Sequence, residues 1–93
     1  MARRAPYRVI LSPAAQRDLR KLPESVSEHL KSLILRLEHE PRPPGCRKMQ
    51  GQASAFRIRF GRYRVMYDVS DNQRLVEVLH VLRRSETTYR RLT

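Results

Sequence analysis

The residues with the clearest chemical potential are arginines that alternate with apolar side chains on both sides of a predicted turn. Arg57 and Arg59 alternate with phenylalanine and isoleucine, and Arg64 follows shortly after Gly61-Arg62. A two-residue loop with glycine first is typical of a type II′ hairpin, which would pair Arg59 directly with Arg64. Like charges opposite each other across a sheet repel, so we predict that an anion binds among these three guanidinium groups. A solvated polar face, offset by nearby acidic residues, is the alternative.

The composition also favours an anionic partner. The 93 residues include 20 Lys+Arg and 9 Asp+Glu, a formal net charge of +11. A charge this large is self-repulsive without a polyanion, and the cations are mostly arginine, which binds phosphate in a bidentate manner. Nucleic acid or the ribosome is favoured over an acidic protein or an anionic membrane. We expect a cytoplasmic protein, because no apolar span or signal peptide is visible and Cys46 has no partner for a disulfide.

RNA is an anion that carries its own nucleophile, the 2′-hydroxyl group. Its cleavage needs in-line geometry, stabilisation of the charged transition state, and proton transfer. Arginine stabilises charge but does not readily give up a proton, whereas a tyrosine near cations can act as a base. The sequence has no metal-ligand spacing, no glycine-rich phosphate loop and no catalytic carboxylate pair. Metal-free and cofactor-free attack by the 2′-hydroxyl is therefore the only nuclease chemistry that we expect.

Other candidate groups have simpler structural interpretations. His80 falls in an apolar predicted strand, where a packed histidine is expected, and His29 and His39 are expected to be exposed on a helix. Ser12 is expected to cap a helix. Glu86 is expected to be an acid at a helix start, with proton transfer as the alternative.

Hydrophobic periodicity predicts a strand followed by two helices. Residues 7–11 form the strand, Ser12-Pro13 begins a helix that runs to about residue 21, and Leu22-Pro23 breaks it. The second helix ends before Pro41 and carries an apolar stripe with spacings of three and four: Val26, Leu30, Leu33, Leu37. The two helices therefore form a hairpin with one apolar face.

Three strands are predicted next, at residues 56–60, 63–69 and 75–82, the last of them central because it is almost continuously apolar. Residues 85–92 are predicted to be a short helix or a loose end. The sequence thus predicts one α+β domain over residues 1–93, ordered β-α-α-β-β-β with or without a final helix. The helical hairpin would cover one face of an antiparallel sheet.

The chain resembles the RelE/ParE family of small bacterial toxins from type II toxin–antitoxin modules. The resemblance covers nearly the whole chain, including the first helix from Ser12 to Leu19 and the break at Leu22-Pro23. Its most specific segments are Lys48-Met49-Gln50-Gly51, Phe56-Arg57-Ile58-Arg59-Phe60, Gly61-Arg62-Tyr63-Arg64-Val65-Met66-Tyr67, and Val81-Leu82-Arg83-Arg84 leading to Tyr89. The resemblance implies the same order of elements as the periodicity predicts.

Two activities are implied by the resemblance. RelE-like members cut mRNA in the ribosomal A site, whereas ParE-like members inhibit DNA gyrase without cleavage residues. RelE-type positions fall on Arg57, Arg59, Arg64, Arg84 and Tyr89. The catalytic candidates are Arg64, Arg84 and Tyr89, and the RNA-binding candidates are Arg57, Arg59, Arg83 and Lys48. These matches favour the RelE-like branch. A gyrase inhibitor and a non-catalytic protein with the toxin fold are the alternatives.

Some features depart from the family pattern or stay open. The best-known ribonucleases of the family carry lysines where this chain has Arg57 and Arg59, so these two would bind rather than transfer protons. Strand register selects Arg84 as the key arginine, whereas counting back from Tyr89 selects Arg83. The resemblance also implies an acidic antitoxin that covers or distorts the basic groove, besides the ribosome and mRNA as partners. The weak helix signal at residues 85–93 leads us to hypothesise that the antitoxin acts there by displacement.

Overall fold

Five strands form one mixed sheet, and two helices lie across one of its faces. The computed structural model describes residues 6–83. Its elements are, in chain order, β1 (Arg8–Leu11), α1 (Pro13–Arg20), α2 (Glu24–Leu35), a 3₁₀ turn (Arg36–Glu38), β2 (Arg47–Lys48), β3 (Ala55–Phe60), β4 (Tyr63–Ser70) and β5 (Leu75–Arg83). The sheet order is β1-β5-β4-β3-β2. The predicted α+β order is confirmed, and no helix in this part of the chain is long and apolar enough to cross a membrane.

The sheet differs from the prediction in two ways. It is mixed rather than antiparallel, because β1 pairs parallel with β5 after the helical hairpin has crossed over the sheet. It also contains β2, a two-residue strand that pairs antiparallel with β3. The predicted element at 85–92 lies outside the described residues.

The predicted hairpin is confirmed residue by residue. Arg59 pairs with Arg64 and Phe60 with Tyr63. Gly61 has a φ of 60° and Arg62 has no positive φ, as a type II′ turn requires. A side chain at Gly61 would strain this backbone, so the glycine helps to fix the register.

The core lies between the helices and one face of the sheet. Leu30 and Leu37 of the predicted apolar stripe are buried, as is Leu19 of α1. Val26 and Leu33, the other two residues of the stripe, are partly buried. The buried leucines pack with alternate residues of the three long strands: Ile58, Val65, Tyr67, Val69, Val76, Val78, Val81. Tyr67 is fully buried, and its hydroxyl donates to the Pro41 carbonyl at 2.8 Å. Burial raises the pKa of Tyr67 far above its ordinary value, so this hydroxyl stays a hydrogen-bond donor.

One edge of β5 is completed by α1 rather than by a strand. β1 pairs with β5 only as far as Val78. The Ser12 hydroxyl then donates to the Leu79 carbonyl at 2.9 Å and accepts from the Ala15 amide at 3.0 Å. The Asp18 carboxylate accepts from the Val81 amide at 2.9 Å. Ser12, predicted as a helix cap, therefore both caps α1 and holds it against β5.

An ion-pair cluster closes the end of the sheet at which β4 turns into β5. The Arg42 guanidinium donates twice to the Asp71 carboxylate, at 3.2 and 3.0 Å, and lies over the Phe56 ring. The Tyr7 hydroxyl donates to the same carboxylate. The hydrogen bonds from Arg42, followed by that from Tyr7, lower the pKa of Asp71. The cluster thus joins three segments: Tyr7 just before β1, Arg42 in the loop after the 3₁₀ turn, and Asp71 in the turn between β4 and β5.

Replacing Ser12 by alanine should lower the free energy of unfolding by about 1–2 kcal/mol, because the helix cap and the bond to Leu79 are lost together. Chemical denaturation measures this value. Ser32→Ala, on the exposed side of α2, is the matched control and should change stability by less than about 0.5 kcal/mol. Equal effects of the two substitutions would contradict the double role of Ser12.

The Asp71 cluster should make stability depend on acid pH. Because the folded-state pKa of Asp71 is lowered, its contribution is present at neutral pH and is lost as pH falls below about 4, through the folded-state value. Thermal unfolding between pH 7 and pH 2.5 should show the wild-type advantage over Asp71→Asn shrinking in that range. Arg42→Gln should give the same loss, and the double variant should be no less stable than either single variant. Additive losses would show that the two residues act separately.

Candidate functional site

The arginine cluster, defined as Arg47, Arg57, Arg59 and Arg64, lies on the sheet face away from the helices. Arg47 pairs with Arg57 across β2 and β3, and Arg59 pairs with Arg64 across β3 and β4. Side chains directly opposite in a sheet have Cβ atoms about 4.5–5.5 Å apart, and diagonal neighbours remain within reach of long side chains. The predicted gathering of Arg57, Arg59 and Arg64 on one face is confirmed.

No acidic residue in the described part of the chain neutralises the charge of the cluster. All four arginines are exposed, and none lies within 4 Å of a carboxylate belonging to residues 6–83. Exposed guanidinium groups that share one face without counter-charges form a favourable site for an oxyanion. Within residues 6–83, the acidic residues that a charge-balanced polar face would require are not found beside these arginines.

Apolar and acidic residues surround the cluster on the same face. Leu82 is paired with Arg64 and Met66 with Arg57, and Leu82 is 43% exposed. Two residues further along β4, Asp68 is paired with Glu77 of β5. The face is therefore basic toward the hairpin and acidic toward the opposite end, so a bound polyanion would be held near the hairpin.

Lys48 reaches the site from its edge. Its register partner is Phe56, so it does not share the pleat of Arg57. Lys48 and Arg57 nevertheless line the same open recess of about 690 Å³, together with residues 49–53. The positive φ of Gly51, 78°, shapes the loop that forms this recess. Lys48 can thus contact a ligand that extends past the arginine cluster.

The other predicted residues are not brought into the cluster by the described part of the chain. Arg83 pairs with Tyr63, whereas its neighbour Leu82 pairs with Arg64. Arg83 therefore shares the pleat of Tyr63, on the side of the helices. Arg84 and Tyr89 lie outside the described residues, and their roles stay predictions.

The expectation that His80 is packed is wrong. Its side chain is 51% exposed, and Nδ1 lies 3.3 Å from the carboxylate of Asp18 on α1. The physical reason is the irregularity opposite Met66 and Tyr67 of β4, where Leu79 has no register partner. This bulge interrupts the alternation of β5 and places an imidazole at the surface.

Arg47 is the site residue that the sequence analysis did not identify. Its strand has only two residues, both polar, and follows a proline-rich loop, so hydrophobic alternation gives no signal. A possible clue is its place next to Lys48, before a loop that returns to the basic strand. Among residues 6–83, no three His, Cys, Asp or Glu side chains lie close enough to hold a metal ion.

The arrangement can bind and stabilise phosphate but lacks an obvious proton-transfer group within the arginine cluster. Guanidinium groups remain protonated and provide several donors in a fixed plane. Such donors stabilise the charge that develops on a phosphate during attack and leaving-group departure. A proton donor or acceptor must therefore come from outside the four arginines.

Comparison with known proteins identifies related chains. The family described as "ParE toxin of type II toxin-antitoxin system, parDE" matches residues 9–88. Toxin RelE of Mycobacterium tuberculosis is 36% identical over 84 residues, covering 86% of this chain and 84% of the relative.

Solved structures agree with this match. The RelBE2 toxin–antitoxin complex of M. tuberculosis contains a chain with a TM-score of 0.79 and 28% identity, covering 92% of this chain and all of that one. The isolated E. coli RelE toxin gives a TM-score of 0.72 at 28% identity, covering 92% and 95%. The chain is thus a member of the ParE toxin family of type II toxin–antitoxin systems, with the fold of RelE toxins.

Proposed function

We propose that this toxin is a ribosome-dependent mRNA endonuclease that arrests translation in the cytoplasm. The observation that carries the proposal is the exposed arginine cluster, which has no counter-charge from residues 6–83. Similarity to RelE chains supports an RNA target. The reaction needs no metal, because the 2′-hydroxyl of the message attacks the adjacent phosphate.

The residues have distinct roles in this proposal. Arg57 and Arg59 bind the phosphate, and Arg64, between Arg59 and Leu82 on the sheet, stabilises the negative charge of the transition state. Arg84 adds to that stabilisation, and Tyr89 accepts the 2′-hydroxyl proton. RNA next to the cleavage point contacts Lys48, and RNA that passes around the end of β5 contacts Arg83 on the other side of the sheet.

We also propose an acidic antitoxin as the physiological partner. The similar chains from M. tuberculosis and Pyrococcus horikoshii were solved as RelE–RelB or RelBE2 complexes. A net charge of +11 suits an acidic protein as well as RNA, since both provide a dense array of negative groups. Antitoxin and message would therefore compete for the basic end of the sheet.

Inhibition of DNA gyrase is the second candidate function. The matching family is described by the name of the ParE toxin, and this description favours gyrase as the target. This function requires a protein-binding surface and no RNA cleavage, so it would not depend on phosphate stabilisation by Arg64.

Arg64→Ala should lower the rate of mRNA cleavage by about 100-fold or more, because a donor to the transition-state oxyanion is removed. Single-turnover cleavage on programmed ribosomes measures the effect. Arg20→Ala, which removes an exposed arginine from the end of α1, is the charge-matched control and should leave the rate within about threefold. A fully active Arg64→Ala variant would contradict the proposed role.

Induced expression with pulse-labelling separates the two target classes. We expect translation to stop first, with new 5′ ends inside translated messages, because the ribosome presents the substrate. Continued translation with broken or unreplicated DNA would instead support gyrase as the target. A harmless protein would indicate a non-catalytic member of the family.

A further inference from the structure

The candidate mechanism has no proton donor for the leaving group among the described arginines. When the 2′-oxygen attacks, the departing 5′-oxygen takes on negative charge and needs a proton. Arginine keeps its protons under these conditions. Imidazole is the side chain that most readily exchanges a proton near neutral pH, and residues 6–83 contain three histidines, of which His29 and His39 are on the helical side of the chain.

His80 is the histidine that shares a face with the arginine cluster. It is paired with Met66, and Leu82, two residues later, is paired with Arg64. Since side chains two residues apart point to the same side of a strand, His80 and Arg64 are diagonal cross-strand neighbours. Such neighbours lie about 7–8 Å apart, within reach of long side chains and of a shared ligand.

The Asp18 carboxylate holds this imidazole in a defined orientation. An ionised carboxylate can only accept hydrogen bonds, so the Nδ1 atom, 3.3 Å away, carries the hydrogen. Nε2 is then left for another partner. Asp18 is itself fixed by the Val81 amide at 2.9 Å and has a side chain only 20% exposed. An imidazole oriented through Nδ1 by a partly buried carboxylate resembles the arrangement that enzymes use for proton transfer at Nε2.

We propose that His80, oriented by Asp18, is the general acid that protonates the leaving 5′-oxygen during RNA cleavage. The inference rests on the proposed endonuclease function. The charged groups that face His80 from the elements packed against it are Asp18 on α1 and Arg64 on β4. His80 would be a catalytic residue and Asp18 a positioning residue.

The proposed step is balanced in atoms and charge. The 2′-oxygen forms a bond to phosphorus and its proton passes to the acceptor, which the proposed function assigns to Tyr89. The bond between phosphorus and the 5′-oxygen breaks. His80, which carries a hydrogen on both nitrogens in the reacting form, gives the hydrogen on Nε2 to that oxygen and keeps the one on Nδ1. The products are a 2′,3′-cyclic phosphate and a 5′-hydroxyl, and both side chains return to their starting states by proton exchange with water.

His80→Gln should reduce single-turnover cleavage on ribosomes by about 100-fold, because a neutral amide cannot act as the acid. His39→Gln is a matched control, because His39 also lies near a carboxylate, that of Glu38 at 4.0 Å, yet on the helical side of the chain. It should retain the wild-type rate.

A message with sulfur in place of the scissile 5′-oxygen tests the chemical role directly. A thiolate leaves without protonation far more easily than an alkoxide, as the low pKa of thiols shows. His80→Gln should therefore cleave this message at nearly the wild-type rate, which also shows that the variant is folded. Arg64→Ala should remain slow on both messages, because charge stabilisation is still required.

Asp18→Asn is the second variant. The side-chain oxygen of the asparagine can still accept a hydrogen bond from the Val81 backbone amide. We expect kcat to fall about 10-fold with KM unchanged, and the defect to disappear on the sulfur message. If His80→Gln is fully active, or equally slow on both messages, the assignment to His80 is wrong while the endonuclease function stands. If the wild-type protein cleaves neither message, both the function and this inference fail.

Discussion

The arginine cluster depends on burial of the opposite face of the same strands. Ile58, Val65 and Val81 alternate with the exposed basic and apolar positions and are almost fully buried beneath the helices. A slip of one residue between β3 and β4 would bring arginines into the core and expose the apolar side chains. The hydrophobic core thus fixes the register, and the register holds together charges that would separate in a free hairpin.

This arrangement makes the free protein electrostatically unfavourable at one end. Arg59 and Arg64 oppose each other directly, and the acidic residues Asp68 and Glu77 lie opposite each other further along the sheet, away from the hairpin. Any anionic partner that binds the folded state relieves this repulsion and stabilises the fold by mass action. Binding of an antitoxin and binding of RNA would therefore both stabilise the toxin.

The sequence predicts most of the fold because its periodicity is strong. The helical stripe, the cap at Ser12 and the type II′ turn at Gly61 all agree with the structure. The hairpin register places Arg59 against Arg64 as expected. Local turn chemistry and alternation reinforce each other here, and this agreement is what makes the elements predictable.

The features that could not be predicted depend on tertiary pairing. β2 is too short to show alternation, so Arg47 gave no signal. His80 lies in an apolar run whose alternation is shifted by a bulge. The parallel pairing of β1 with β5 places Arg8 opposite Leu75, and more than sixty residues separate the two in the chain. No local pattern in the sequence can indicate a contact at that separation.

The pairing of β1 with β5 also affects when the protein can fold. β1 is hydrogen-bonded in the sheet through β5 alone, and β5 is the last strand that the structure describes. β1 can therefore join the sheet only after β5 has been synthesised. Closing the long loop between these two strands slows folding. A chain synthesised only as far as β4 would therefore have no partner for β1, and the sheet would stay incomplete until β5 is available.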